Sequence, residues 1–465
     1  MKWTKGLLRS RRFHTLSMGA AALVLLSSLT RAPVPAEVPD LSDVDPSVAA
    51  VETAILVEEA GLAGDDPEEA VAELEADPSA AVERMDSVPG QDAGSLESAL
   101  RGLRDNPRAM DPVDMQEFFA SLGEETDDWL AVLYPDTMMR LDGVPFSSKR
   151  LSSRIMTVAA EEVSKEPTYP QRPWTGGERP PRGDLGAVRE SGRDFLYVDP
   201  YLNDGHGSWV EVVGDMESAE KVSILVPGSA ATIDNHNFDL YQWRAQSLVD
   251  ASDGDLAVIV WAGAPWPSGW VESSWANWAE IAGERLARFS EDVAAQYPDK
   301  YMTVVGHSYG GAVVGEAERH QMAGERVLQV ASAGMGHEVA GPGDYSDPCR
   351  ERYSMTAEGD PISYIQGLPY MPLLGHGEDP DEFPGVTVLD PGYLSADPGA
   401  VDDSGNSLAA QGILGKKIEG VHSHSEVFYP GSDSWKNIYA VMTGGEPEAA
   451  DDQPEAYPAC SPARE

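Results

Sequence analysis

One serine between glycines, Gly306-His307-Ser308-Tyr309-Gly310, constrains this chain more than any other feature. The run before it, Tyr301-Met302-Thr303-Val304-Val305, reads as a buried strand. The stretch after it, Gly311-Ala312-Val313-Val314-Gly315-Glu316-Ala317, reads as a helix start with small residues. A serine on so sharp a strand-to-helix turn has a strained backbone, and its hydroxyl is pushed clear of the chain. Gly306 and Gly310 leave room where any side chain would strike the neighbouring strand or helix. The helix that follows points its positive end at the site.

Around this motif, short apolar runs alternate with helical stretches. Val222–Val226, Leu256–Trp261, Met302–Val305, Val327–Ala331, Tyr353–Met355 and Val386–Leu389 read as strands, with helices over Trp275–Gln296 and Gly311–Met322 between them. Continuous apolar strands separated by helices imply an α/β domain over 195–443, its sheet mainly parallel and buried on both faces. Ahead of it, residues 37–130 hold 26 acidic and four basic residues. Asp45-Pro46, Asp66-Pro67, Asp77-Pro78, Asn106-Pro107 and Asp111-Pro112 look like helix starts, a capping side chain followed by proline in the first turn. Apolar residues recur behind them at helical spacing, as in Val48, Val51, Ile55 and in Val71, Leu74. An acidic helical region over 37–162 follows, read as a solvated packing module rather than a partner-binding cap. Residues 163–194, rich in Pro, Gly and Arg, read as a linker, and the acidic tail 444–465 as disordered.

The formal net charge is −45, which repels phosphate backbones and anionic lipid surfaces and argues against a nucleic-acid partner. At the N-terminus, Lys2, Lys5, Arg9, Arg11 and Arg12 precede an apolar stretch, Met18 to Leu29, too short to span a membrane. Residues 1–36 therefore read as a signal peptide cleaved after Ala36, with Arg11-Arg12 leaving a twin-arginine route open. The expected location is extracytoplasmic, secreted or associated with the cell envelope, with no membrane span after signal removal. There Cys349 and Cys460 can pair and tie down the tail.

A serine hydroxyl needs a base within hydrogen-bond reach and a carboxylate to orient that base. The order Ser, acid, His is what a serine on such a turn calls for. Asp360, in the loop after the strand Arg352–Thr356, is the acid; Asp390 is the runner-up, read as a turn residue before Pro391. Either His422 or His424 can be the base. His424 is preferred because Val427-Phe428-Tyr429 can anchor its loop. For the oxyanion formed when serine attacks a carbonyl, the N–H of Tyr309 is one donor, and Ser229 or Ala230, after Pro227-Gly228, offers the second. Trp261, Trp266, Trp270, Trp275 and Trp278 crowd one segment, either as the wall of an acyl pocket or as core. No metal or cofactor is called for.

The segments LAVLYPDTMMRLDGVPFSSKRLSSRI (130–155), SILVPGSAATIDN (223–235), VIVWAGAPWPSG (258–269), YMTVVGHSYGGAVVG (301–315) and AEGDPISYI (357–365) resemble an actinobacterial α/β-hydrolase family long catalogued as a domain of unknown function. The resemblance covers roughly 130–430. It implies an α/β-hydrolase fold, with Ser308 as nucleophile, Asp360 as acid and His424 as base, but no agreed substrate. This chain departs from the family's ending, where a His-Ser is followed by an aromatic residue: His422 is a second histidine, and Glu426-Val427 precedes Phe428. The expected function is that of an exported serine hydrolase acting through an acyl-enzyme on a small or lipid-like carboxylic ester. The alternatives are an acyltransferase using the same triad, or a non-catalytic binding protein on a hydrolase scaffold.

Overall fold

The computed structural model describes residues 44–62, 66–86, 95–166, 172, 174, 179–269, 272–367 and 374–460. The expected leader at 1–36 lies outside them, as does Trp270.

Among the described residues eight strands form one sheet: β1 (Asp194–Asp199), β2 (Ser208–Val213), β3 (Lys221–Val226), β4 (Leu256–Ala262), β5 (Tyr301–His307), β6 (Arg326–Val330), β7 (Glu351–Met355) and β8 (Val386–Val388). Their order is β1-β2-β4-β3-β5-β6-β7-β8. From β4 to β8 neighbours are parallel, whereas β2 runs antiparallel to both β1 and β4. The parallel strands are those the apolar runs indicate, and β4 is buried along its whole length. The antiparallel pair does not stand out in the sequence. Asp199 and Glu211 interrupt its apolar texture, and both are buried in pairs with Arg140 and Arg193.

The N-terminal helices begin where Asp-Pro places them. Asp45, Asp66 and Asp111 each accept a hydrogen bond from the backbone N–H two residues on, at 2.9–3.0 Å. Asn106 makes no such bond, and the chain after it forms only a short 3-10 turn, Pro107–Ala109. The first helix, Pro46–Glu59, is rotated from its expected face: Val48, Val51 and Ile55 are exposed, while Ala49, Thr53 and Val57 are buried. The small Ala49 and Thr53 present a low surface for packing, and the Thr53 hydroxyl is satisfied within the helix by the Ala49 carbonyl at 2.8 Å. Val71 and Leu74 are buried as their spacing implies.

The long helix Phe146–Ser164 packs against β1. The buried pair Lys149–Asp292, at 3.2 Å, joins it to the helix Ala276–Gln296. Nearby, Asp127 is 1% exposed and its Oδ1 meets no partner among the described residues. Burial, reinforced by Asp128 and Glu124, raises its pKa from 3.8 to about 8. The unfolded chain releases this proton at lower pH than the native one, so stability is lost as pH rises from about 4 to about 8. Asp127→Asn should therefore be nearly neutral at pH 4 and clearly stabilising at pH 8.5, read as the shift in urea midpoint at each pH.

The C-terminal segment is ordered through Cys460, contrary to the disorder expected of its composition. Ala450 N–H donates to the Val388 carbonyl (2.9 Å), Gly385 N–H to the Glu455 carbonyl (2.8 Å), and the Gln453 amide bonds both backbone groups of Val388. A disulfide joins Cys349 to Cys460 across 111 residues. The unpaired edge of β8 supplies partners that composition cannot reveal.

Candidate active site

At the end of β5 the chain turns through Ser308, whose φ of 56° and ψ of −123° are costly for any residue with a side chain. The turn is held by Ser308 N–H donating to the Val330 carbonyl (3.0 Å) and by the Ser308 carbonyl accepting from Gly311 and Ala333 (3.0 Å each). A Cβ on Gly306 would stand 2.6 Å from the Gly311 Cα. One on Gly310 would press into the carbonyls of Val226 and Pro227. The glycines are therefore required by close approach.

Three distant segments converge on this serine. His424 lies on the short helix Ser423–Glu426, with Nε2 2.9 Å from Ser308 Oγ. Its Nδ1 is 3.0 Å from each carboxylate oxygen of Asp360. Asp360 is 1% exposed, follows β7, and caps the turn Pro361–Tyr364 by accepting from Ile362 N–H at 2.8 Å. Since the carboxylate accepts from Nδ1–H, Nε2 is left to accept the serine proton. His422 is exposed at the start of the short helix and takes no part. Asp390 is an exposed turn residue that accepts from Gly392 N–H.

The loop Pro227–Ala230 lies against the serine: a Cβ on Gly228 would be 3.5 Å from Ser308 Oγ. Ala230 does not serve as a donor to the site, because its N–H is spent on the Pro267 carbonyl at 3.0 Å. The N–H groups of Ser229 and Tyr309 meet no acceptor among the described residues. Of the tryptophans, Trp261 and Trp266 are buried and Trp275 is exposed. Trp266 donates from Nε1 to the Gly228 carbonyl (2.7 Å) and so braces this loop.

A second layer was not read from the sequence. His307 is buried, with Nε2 2.9 Å from the His424 carbonyl and Nδ1 2.5 Å from Tyr241 Oη. Tyr241 Oη in turn accepts from Gly228 N–H at 2.7 Å. Burial, then the neighbouring His424 and Arg244, push the His307 pKa well below the ordinary imidazole range. Neutral His307 thus donates from Nε2 and accepts from Tyr241 at Nδ1. Arg244 lies over the rings of Tyr241 and Phe428 and pairs with Asp403 at 3.0 Å. One network therefore joins the serine turn, the histidine loop and the Gly228 loop. The one available signal was the spacing of Tyr241 and Arg244, three apart on one helix face.

An eight-stranded, mainly parallel sheet flanked by helices, with a serine on the turn after β5, is the α/β-hydrolase fold. A family model described as alpha/beta hydrolase matches residues 203–370, which include Ser308 and Asp360 but not His424. Two uncharacterized proteins of Mycobacterium tuberculosis, MT2140 and Rv2079, are each 25% identical over 287 residues, covering 58% of this chain and 42% of theirs. The chain thus spans less than half the length of these curated relatives. Among solved structures, the dienelactone hydrolase-like promiscuous phosphotriesterase P91 from metagenomic libraries is 15% identical, covering 51% of this chain and 93% of its own, with a TM-score of 0.30. XC6422 of Xanthomonas campestris, a serine hydrolase without a lid, is 16% identical over 42% of this chain and 83% of its own, with a TM-score of 0.24. The esterase domain of a Rhodothermus marinus protein is 12% identical, covering 35% and 74%, with a TM-score of 0.23.

Proposed function

We propose that this alpha/beta hydrolase is an exported serine hydrolase that cleaves small or lipid-like carboxylic esters through an acyl-enzyme. The observation that carries the reading is the continuous relay Ser308 Oγ–His424–Asp360, at 2.9 and 3.0 Å. Ser308 Oγ attacks the ester carbonyl carbon while its proton passes to His424 Nε2. The tetrahedral oxyanion is held by the N–H groups of Tyr309 and Ser229, at the positive end of the helix Tyr309–Ala317. On collapse the ester C–O bond breaks, and His424 returns the proton to the departing alcohol. Water, deprotonated by His424, then attacks the acyl carbon and releases the acid and free Ser308. Export is supported by the basic head and short apolar stretch at the N-terminus and by the Cys349–Cys460 disulfide.

The test is a fluorophosphonate probe on the full chain. Labelling should occur and map to Ser308, and Ser308→Ala should remove it. A folded wild-type protein that stays unlabelled, and inert toward p-nitrophenyl esters of two to sixteen carbons, would overturn the reading. Adding an alcohol acceptor to the ester assay separates hydrolysis from acyl transfer.

Tyr241→Phe strips the hydroxyl from between Gly228 N–H and His307 Nδ1. Losing two buried hydrogen bonds of about 1 kcal/mol each should slow labelling of Ser308 by up to about thirtyfold, with the labelled residue unchanged.

A further inference from the structure

Between the N-terminal helices and the antiparallel end of the sheet lies a cavity of about 580 Å³, the size of a small-molecule site. It is separate from the serine. Trp266 stands between the two, donating its backbone N–H to Asn203 Oδ1 on the cavity side (2.8 Å) and its indole N–H to the Gly228 carbonyl on the other.

The lining is aromatic. Trp174, Tyr197, Tyr201, Trp261 and Phe289 all reach it, and each is at least nine-tenths buried. It is also charged, and most of the charges are matched. Arg140 pairs with Asp199 (2.7 Å), Arg104 with Asp136 (2.7 Å), and Arg288 with Asp142 (2.8 Å). Two donors are left over. Trp261 is 2% exposed, and no described group accepts its indole N–H; a Cβ on Gly263, itself part of the wall, would lie 3.0 Å from that nitrogen. Arg285 has no carboxylate within ion-pair distance among the described residues.

Such a wall asks for a ligand with two properties. Flat apolar faces must cover the rings, and oxygen acceptors must meet the free indole and guanidinium donors. An acyl chain offers no acceptors along its length and would lie against paired charges. A phosphate or carboxylate would approach through the field of a chain with net charge −45, toward a wall where Arg285, exposed to solvent, is the cation left without a carboxylate among the described residues. A pyranose ring has C–H faces and hydroxyls and no charge. We infer that this cavity is a binding site for a neutral saccharide of one or two rings, built jointly by the N-terminal helices and the hydrolase sheet. The helical region is then a wall of a second site, in addition to being a packing module.

The test titrates the full chain with glucose, N-acetylglucosamine, maltose and cellobiose, with glucose 6-phosphate and benzoate as charged comparisons, by calorimetry and tryptophan fluorescence. At least one neutral sugar should saturate at millimolar concentration or below. Arg285→Gln, at an exposed side chain, and Trp261→Phe, which removes the indole N–H, should each weaken it roughly tenfold. Ser308→Ala should leave binding unchanged, so this result stands or falls apart from the catalytic reading. No saturation by any neutral sugar, saturation by the charged probes alone, or affinity unaltered in Arg285→Gln would overturn the inference.

Discussion

His424→Ala should lower kcat toward p-nitrophenyl esters by about four to six orders of magnitude, while His422→Ala should stay within about twofold of wild type. The two residues are separated by one position, yet their surroundings differ completely. His424 has Nε2 at 2.9 Å from Ser308 Oγ and Nδ1 at 3.0 Å from Asp360, whereas His422 is exposed. Without His424 nothing else in the site takes the serine proton, because the His307 ring nitrogens are occupied by Tyr241 and the His424 carbonyl. Circular dichroism should be unchanged in both variants, since His424 is only partly buried. Equal losses in the two variants would refute the assignment of the base.

Gly310→Ala should prevent the protein from accumulating in a folded form, an expected loss above about 4 kcal/mol. The added methyl carbon would lie 2.8 Å from the Val226 carbonyl carbon, and nearer still to two backbone oxygens. Those carbonyls belong to β3 and the loop that follows it, so they cannot swing aside as a side chain would. Gly343→Ala makes a useful contrast, since the nearest atom to its added methyl carbon is the Tyr457 hydroxyl at 3.2 Å, the far end of a side chain, and a smaller loss is expected. Soluble yield and the urea midpoint of each variant report the difference.

The sheet was legible where strands are buried on both faces, most plainly in β4, whose seven residues are all apolar, while β7, with Arg352 and Ser354, kept only a short apolar signal. The serine turn was equally plain, because its glycines answer to local crowding. Long-range pairing was hidden. β1 and β2 carry Asp199 and Glu211, whose partners Arg140 and Arg193 no periodicity could indicate. The tail was misjudged for the same reason, its backbone partners being groups of β8, although the Cys349–Cys460 pairing that ties it down was legible. Between Ser229 and Ala230 the sequence offered two donors, and only the bond from Ala230 to Pro267 removes one. The rotated face of the first helix shows the limit of spacing arguments, since Val48, Val51 and Ile55 satisfy the helical period and still point outward.

The ion pairs that stitch the N-terminal helices to the sheet bear on any attempt to trim the protein. Asp292 is wholly inaccessible and Asp199 nearly so, and their cations, Lys149 and Arg140, come from before residue 165. Excising that stretch to obtain a minimal enzyme would remove both cations and uncover the apolar surface that the helix Phe146–Ser164 buries against β1. A shortened chain should accordingly aggregate unless that surface is replaced by polar residues.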